Sequence, residues 1–280
     1  MFTRTTGFLI VPIWLAAMSW LVWHDIWPRL TAGAPPKLQA TEWLKSEGRE
    51  SQYAILLGTE RLGTIWTTYR IDEWSIRRED WIWLDELPIG LAPVRLFIES
   101  LFTGEGDLDE FTVRLESPDA VSELHGERFH ADFSFSLEGM VGGRRLNTTT
   151  FKTPLIDGGF LSGAFNPFSQ LSGLQVGQTW RMQAFNPLAA LTGVGNRFIP
   201  MLVRVTGEET IAGPEGAVRC FVVEAPRAMA WVDAKGVVRV QEVDLPMVGR
   251  IRVVRETEFD RDTLTRISRQ AIYFDGRHRP

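Results

Sequence analysis

The chain has 280 residues, of which 44% are hydrophobic and 23% are charged, so its composition is that of a folded protein rather than a disordered one. Its formal net charge of −5 argues against nucleic-acid binding, because surfaces that bind phosphate backbones are usually basic. A single cysteine, Cys220, excludes an intrachain disulfide, and the apolar run around it predicts a buried, inert thiol.

The N-terminal segment predicts a membrane anchor. Residues 7–23 carry no charged side chain, and as a helix they would span roughly 26 Å, near the lower limit for crossing a bilayer. Arg4 favours a cytoplasmic N-terminus, and the small residues that cleavage requires lie well past the apolar segment, directly before Pro35. A cleaved signal peptide and a buried helix of a soluble protein are the alternatives. We predict a cytoplasmic tail (1–6), a single-pass anchor in the inner (cytoplasmic) membrane (7–27), a tether (28–40) and a β-rich domain in the periplasm or outside the cell (41–280).

Beyond the tether, apolar and polar residues alternate with the period of two that indicates β-strands. In FHADFSFSLEG, residues 129–139, the alternation places Phe129 on the same face as Phe133, and a Gly-Gly turn with a Thr-rich run completes a predicted hairpin. The C-terminal third repeats β-branched runs between turn residues, which predicts successive antiparallel strands. Residues 95–117 predict a helix followed by a strand. Four strand residues are expected inside: Phe133, Phe135, Val222 and Val254.

A ten-residue cassette occurs twice, as AFNPFSQLSG (residues 164–173) and AFNPLAALTG (residues 184–193). In each copy an Asn stands at an N-cap position, the next Pro can start a helix without an unpaired N–H, and the last Gly suits the left-handed position after a short helix. We therefore predict two short helical lids over a curved sheet, with a strand at residues 174–183 between them. Two unrelated turns of similar sequence are the alternative.

The sequence contains no catalytic signature, because H-E-x-x-H, C-x-x-C, P-loop and G-x-G-x-x-G motifs do not occur in it. His130 and Asp132 lie two apart on one predicted strand face, where they form either an acid–base or metal-binding pair or an ordinary solvated surface. Adjacent acidic residues such as Glu79-Asp80 indicate a surface, because neighbours on a strand face opposite ways. We predict that the protein is not an enzyme and has no metal site and no cofactor.

Aromatic residues are concentrated in two parts of the chain. Four tryptophans lie between residues 66 and 83, and Trp81 and Trp83 share one face of a predicted strand opposite Ile82. Phenylalanines cluster around the cassettes. Such residues either fill the core of a large β domain or line a cavity or groove for a lipid-like ligand, as in small barrels and curved sheets. The predicted ligand-binding residues are Trp66, Trp81, Trp83, Phe133, Phe135, Phe160, Phe165, Phe168 and Phe185.

An ordered series of strand motifs covers roughly residues 170–260. The motifs are Leu-x-x-Gly-x-x-Trp, Gly-x-Glu and Trp-x-Asp-x-x-Gly. They are carried here by Leu174, Gly177 and Trp180, by the run Gly207, Glu208 and Glu209, and by Trp231, Asp233 and Gly236. The series resembles the C-terminal part of a bacterial envelope family of unknown function. More distantly, it resembles the lipoprotein-carrier superfamily, in which a curved antiparallel sheet with short helical lids holds acyl chains. The permanent anchor departs from those soluble carriers, and the resemblance implies no catalytic residue.

Together these features predict a mainly β protein, with an N-terminal transmembrane helix and a curved antiparallel sheet or partly open barrel with short helical lids. We predict a membrane-anchored, non-enzymatic envelope protein that binds a hydrophobic ligand such as a lipid or an acyl chain. The alternative is a structural or accessory subunit of a membrane complex, with no small-molecule ligand and its aromatic residues in the core. The expected partners are the membrane, through residues 7–27, and a lipid-like ligand or a membrane-complex partner, with no nucleic acid.

Overall fold

The computed structural model describes residues 13–23, 32–33, 36, 49–72, 74–85, 93–130, 132–154, 160–161, 168, 171, 173–185, 198–213, 216–245 and 248–275. These residues form fifteen β-strands in a single sheet. The strands are β1 (Glu50–Leu57), β2 (Glu60–Ile71), β3 (Ser75–Leu84), β4 (Val94–Thr103), β5 (Leu108–Ser117), β6 (Ala120–Phe129), β7 (Asp132–Val141), β8 (Arg144–Pro154), β9 (Phe160–Leu161), β10 (Thr179–Phe185), β11 (Phe198–Gly213), β12 (Gly216–Ala225), β13 (Ala228–Asp233), β14 (Val238–Leu245) and β15 (Gly249–Arg255).

The sheet is a long, curved antiparallel meander. Consecutive strands pair with each other from β1 through β8, and again from β10 through β15. The two runs are joined because β1 pairs antiparallel with β15, and the short β9 adds to β10 in parallel. In the described part of the chain β8 and β9 stand at the two ends of the strand order, so the sheet is not closed into a barrel. The prediction of a mainly β protein with a curved antiparallel sheet is confirmed.

Tight turns that contain glycine account for several of the predicted hairpins. Gly58 connects β1 to β2 with a φ of +62°, in the left-handed region that glycine adopts without strain. Gly142 and Gly143 connect β7 to β8 with φ values of +56° and +76°, as a two-residue hairpin turn of the I′ type requires. The hairpin expected from the Gly-Gly sequence is therefore present.

The core lies on one face of the curved sheet, which we call the inner face. Its largest cluster joins residues of β1 to β7 with Val243, Ile251 and Val253 of β14 and β15. A second cluster covers β10 to β14, and Ala228 contacts both clusters, so the apolar inner face continues from one to the other. Of the four residues expected inside, three are buried and one is half-buried: Phe133, Phe135 and Val222 are the buried ones, and Val254 is the half-buried one.

Two sequence-based assignments of strands and helices are wrong. The chain reverses at His130, whose φ is +56°, so Phe129 ends β6 and Asp132 begins β7. Phe129 is therefore 57% exposed at the turn and is not an inward member of the next strand. The helix expected within residues 95–117 is absent, because these residues form the β4–β5 hairpin, in which Leu96 and Ile98 alternate inward with period two.

The two cassettes lie mostly outside the described residues, and so do the helical lids predicted from them. In the first copy, Phe168 and Leu171 are buried against the second cluster. Gly173 has a φ of +68°, the left-handed conformation predicted for it. In the second copy the described residues end with Phe185, which belongs to β10.

The described part of the predicted anchor, residues 13–23, is α-helical from residue 13 to residue 21, and the rest of residues 7–27 lies outside the described residues. No helix among the described residues combines the length and the apolar character that crossing a membrane requires. In the predicted tether, the Gly33 N–H donates to the carbonyl oxygen of Thr179 at 2.9 Å, so this point of the segment contacts β10.

A C-terminal helix, Arg261–Asp275, follows the last strand. Asp260 caps it, because its Oδ1 accepts a hydrogen bond from the Thr263 N–H at 2.9 Å. That bond lowers the pKa of Asp260. The helix start is fixed to β1 by Gln52, whose Oε1 accepts from the Asp260 N–H at 2.9 Å, and by an ion pair of 2.7 Å between Arg261 and Glu50.

Candidate functional site

The site lies on the outer face of β2 to β5, opposite the core. Ile65, Ile82 and Ile98 point inward, so the residues beside them in sequence point outward. The strand registers place Trp66 opposite Trp81 and Trp81 opposite Phe97. Three aromatic side chains thus form a row across three adjacent strands of the outer face.

The C-terminal helix covers this row, and a partly open cavity of about 220 Å³ lies between the helix and the row. Ile267 is the helix residue that reaches the aromatic row, and it is 7% exposed. An apolar cavity of ~150 Å³ holds one benzene molecule, so this space is large enough for an aromatic ring or a short aliphatic segment. The cavity, which we call the aromatic cavity, is lined by Trp66, Trp81, Ile82, Trp83, Arg95, Leu96, Phe97, Arg114, Glu116 and Ile267.

Contacts among the lining residues hold the walls of the aromatic cavity in place. The rings of Trp81 and Phe97 are tilted against each other, with 4.4 Å between their centroids. Trp83 donates its indole N–H to Asp85 Oδ1 at 2.5 Å. The guanidinium carbon of Arg95 lies 4.3 Å from the centroid of the Trp83 ring, within the range of a cation–π interaction.

Trp66 lines the aromatic cavity and carries a buried polar group. Its side chain is 4% exposed, and its Nε1 is buried with no hydrogen-bond partner among the described residues. A buried donor without an acceptor typically costs about 1–3 kcal/mol.

One charged pair borders the aromatic cavity on β5. Arg114 Nε lies 2.8 Å from Glu116 Oε1, and the two side chains are 17% and 12% exposed. Because the two residues lie two apart on one strand, they share the outer face. Their charges compensate each other, so the pair closes this end of the cavity without adding net charge.

A larger polar cleft, of about 770 Å³, opens beside the aromatic cavity, and Trp81 lines both spaces. The cleft lies between the first turns of the C-terminal helix and the outer face of β1 to β3. Its charged lining includes Arg49, Glu50, Arg70, Glu79 and Arg261. Hydroxyl-bearing side chains line it as well: those of Thr68, Thr265 and Ser268.

The inner face carries a buried ion pair that the sequence analysis assigned to the surface. Asp80 is fully buried, and its carboxylate accepts hydrogen bonds from Arg78 Nη2 at 3.0 Å and from Thr67 Oγ1 at 2.5 Å. Arg78 Nε lies 2.9 Å from the other carboxylate oxygen. Burial raises the pKa of Tyr69, which lies beside Arg78 at the edge of the polar cleft. Burial alone would lower the pKa of Arg78, but the Asp80 carboxylate outweighs it and raises that pKa.

The structure brings together three of the nine predicted ligand-binding residues: Trp66, Trp81 and Trp83, all in the aromatic cavity. Phe133 and Phe135 belong to the inner core, with 5.3 Å between their ring centroids, and Phe168 belongs to the second cluster. The remaining three are not placed as side chains: Phe160 and Phe185 are described only as backbone in β9 and β10, and Phe165 lies outside the described residues.

His130 and Asp132 are not two residues of one strand, because His130 occupies the turn before β7. Within the described part of the chain, no three His, Cys, Asp or Glu side chains are arranged to hold a metal ion. Cys220 is buried, as predicted, and burial raises the pKa of its thiol. The outer face thus presents a concave space with aromatic walls and an adjoining polar cleft.

Sequence reasoning missed the C-terminal helix, and with it the cover of the site. The signal was present, because Asp260 stands at an N-cap position and Leu264, Ile267 and Ala271 recur at helical spacing. Phe97 was missed because its segment was assigned to a helix. The alternation of the strand that contains it, read with period two, places it outward.

Comparisons with known proteins give little further information. No protein-family model matches the chain, and no curated protein matches it. A solved structure described as a beta-barrel-like protein of a domain of unknown function (DUF1849) from Brucella abortus aligns with 75% of this chain and 99% of its own, at 9% identity and a TM-score of 0.43. A protein from a bacterial family of unknown function is thus among the structural neighbours of the chain. The alignment shows neither the likeness to lipoprotein carriers nor the strand motifs.

Proposed function

We propose that the chain is a non-enzymatic, membrane-anchored protein of the cell envelope that binds a hydrophobic, lipid- or acyl-like ligand under its C-terminal helix. The observation that supports binding is the aromatic cavity, because ligand sites are typically concave and lined by apolar and aromatic side chains with a few polar groups. The proposal of an anchor rests on the uncharged run at residues 7–23.

The cavity sets an expectation for the strength of binding. Each methylene group that leaves water contributes about 0.8 kcal/mol, or about a fourfold gain in affinity. Affinity for hexanol, octanol and decanol should therefore rise by this factor per methylene until the cavity of about 220 Å³ is filled. Beyond that length, the gain per methylene should fall away.

Native mass spectrometry of the full chain, followed by solvent extraction, tests for a co-purified ligand, and tryptophan fluorescence measures uptake of the three alcohols. A Trp81→Ala/Trp83→Ala variant should bind each alcohol at least tenfold more weakly. Trp231→Ala is the matched control, because Trp231 is half-buried and does not line the cavity. The proposal is contradicted if the mass spectrum shows the protein without a bound ligand and the folded protein takes up none of the three alcohols.

The accessory-subunit alternative has one observation in its favour. Trp74 and Phe129 are 82% and 57% exposed, and both lie on turns at the same end of the meander. Exposed aromatic residues of this kind are enriched where proteins meet partners. If no ligand is taken up, photo-crosslinking from position 74 in native membranes tests this alternative, and a defined crosslinked partner lost in Phe129→Ser supports it.

A further inference from the structure

We infer that the ligand of this site is a single-chain amphiphile with an anionic, oxygen-rich head, its apolar part in the aromatic cavity and its head in the polar cleft. This inference rests on the proposed function and names the class of ligand. Its basis is that two spaces of opposite character share one wall, Trp81, and are covered by the same helix.

The strand registers give the direction and the length of the combined site. Along β2 and β3, the pair Trp66–Trp81 is followed by Thr68–Glu79 and then by Arg70–Arg77. Two residues of a strand advance about 7 Å, so the arginines lie about 13 Å beyond the tryptophans. A ligand seated against the tryptophans therefore extends about 13 Å along the strands before it reaches the level of Arg70.

The relative sizes of the two spaces favour a ligand with a large polar group. The polar cleft measures about 770 Å³ and the aromatic cavity about 220 Å³. Two acyl chains side by side are too large for the volume of the aromatic cavity, whereas the end of a single chain fits into it. The cleft offers hydroxyl groups of Thr68, Thr265 and Ser268, which can donate to head-group oxygens.

The charges in the cleft favour an anion. Arg261 is engaged by Glu50 at 2.7 Å, and Arg70 lies 4.0 Å from Glu79. Arg49 has no carboxylate within ion-pair distance among the described residues, so the cleft has one guanidinium in excess. Guanidinium groups bind phosphate and carboxylate oxygens through paired hydrogen bonds.

The test compares three probes that share one ten-carbon chain: decyl phosphate, decyl glucoside and decanol. Titration calorimetry is carried out on the full chain below the micelle concentration of each probe. We expect decyl phosphate to bind at least tenfold more tightly than decyl glucoside. An Arg49→Gln/Arg70→Gln variant should reduce this preference to less than threefold and leave the affinity for decanol unchanged.

Both arginines are exposed, so the double variant should fold, which circular dichroism verifies. Arg145→Gln is the matched control, because Arg145 is exposed on β8, away from the site, and its variant should keep the tenfold preference. Equal binding of the phosphate and the glucoside, or a preference that survives in the double variant, overturns the inference while the proposed function stands. If none of the three probes binds, both fail.

Discussion

Replacing Asp80 by Asn tests the buried ion pair of the inner face, which is the least expected feature of the core. The side chains of Arg78 and Asp80 are 2% and 1% exposed, so water cannot replace a lost counter-charge. The substitution keeps the size of the side chain and leaves the Arg78 guanidinium buried without its carboxylate. Removing one partner of a buried pair costs about 3–5 kcal/mol, a large part of a typical total stability of roughly 5–15 kcal/mol.

Urea unfolding at pH 7, followed by circular dichroism, measures this loss. With a urea dependence of about 1–3 kcal/mol/M, the midpoint should fall by more than about 1 M. Glu99→Gln is the control, because the Arg77–Glu99 pair of 2.6 Å is 45% and 30% exposed. Such surface pairs contribute about 0–1 kcal/mol.

A second variant separates the charge from the packing. Arg78→Met/Asp80→Val removes both charges together, and a pair replaced by apolar residues is often neutral in stability. We expect it to recover more than half of the loss seen in Asp80→Asn. If the free energy of unfolding of Asp80→Asn lies within about 1 kcal/mol of the wild-type value, the pair is hydrated and the reasoning fails.

Two further predictions concern the neighbourhood of the site. Burial raises the pKa of Tyr69 above its ordinary value of about 10. Above this pH the folded state keeps the phenol protonated, whereas the unfolded state loses the proton. The free energy of unfolding should therefore fall as the pH rises above about 10. Alkaline unfolding of Tyr69→Phe should begin at a higher pH, and an unchanged profile contradicts the assignment. Gly63→Ala should destabilise the protein by at least about 3 kcal/mol in the same urea assay, because the added Cβ meets the backbone carbonyl oxygen of Trp83. Gly207→Ala should leave the stability nearly unchanged, because no atom lies within 4 Å of the added Cβ. Equal losses of stability in the two variants would contradict the close approach of β2 to β3 at Gly63.

Local alternation was sufficient to predict much of the sheet. Ile82 lies between Trp81 and Trp83, so the placement of both tryptophans on one face, opposite Ile82, followed from the period of a strand alone. The same period places Arg78, Asp80 and Ile82 on one face. Asp80 was nevertheless assigned to the surface because it was considered only beside Glu79, its neighbour in sequence.

The errors have a common physical cause. Residues 95–117 contain Leu, Glu and Phe, which helices and strands both accept, and pairing with β3 and β5 decides between the two. At His130 a non-glycine residue adopts a left-handed φ, so the turn carries no Gly or Pro signal. In both cases the hydrogen bonds of neighbouring strands override a weak local preference.

Local sequence was enough to predict most of the hairpins, the glycine turns and many of the residues that share a face, because these depend on backbone geometry within a few residues. The tertiary structure decided that β1 pairs with β15 and that the C-terminal helix covers the outer face of β2 to β5. Ile267 and Trp66 are about 200 positions apart in the chain and line one cavity. Alternation records which side chains share a face but not what packs against that face, so the site exists only once the chain ends meet.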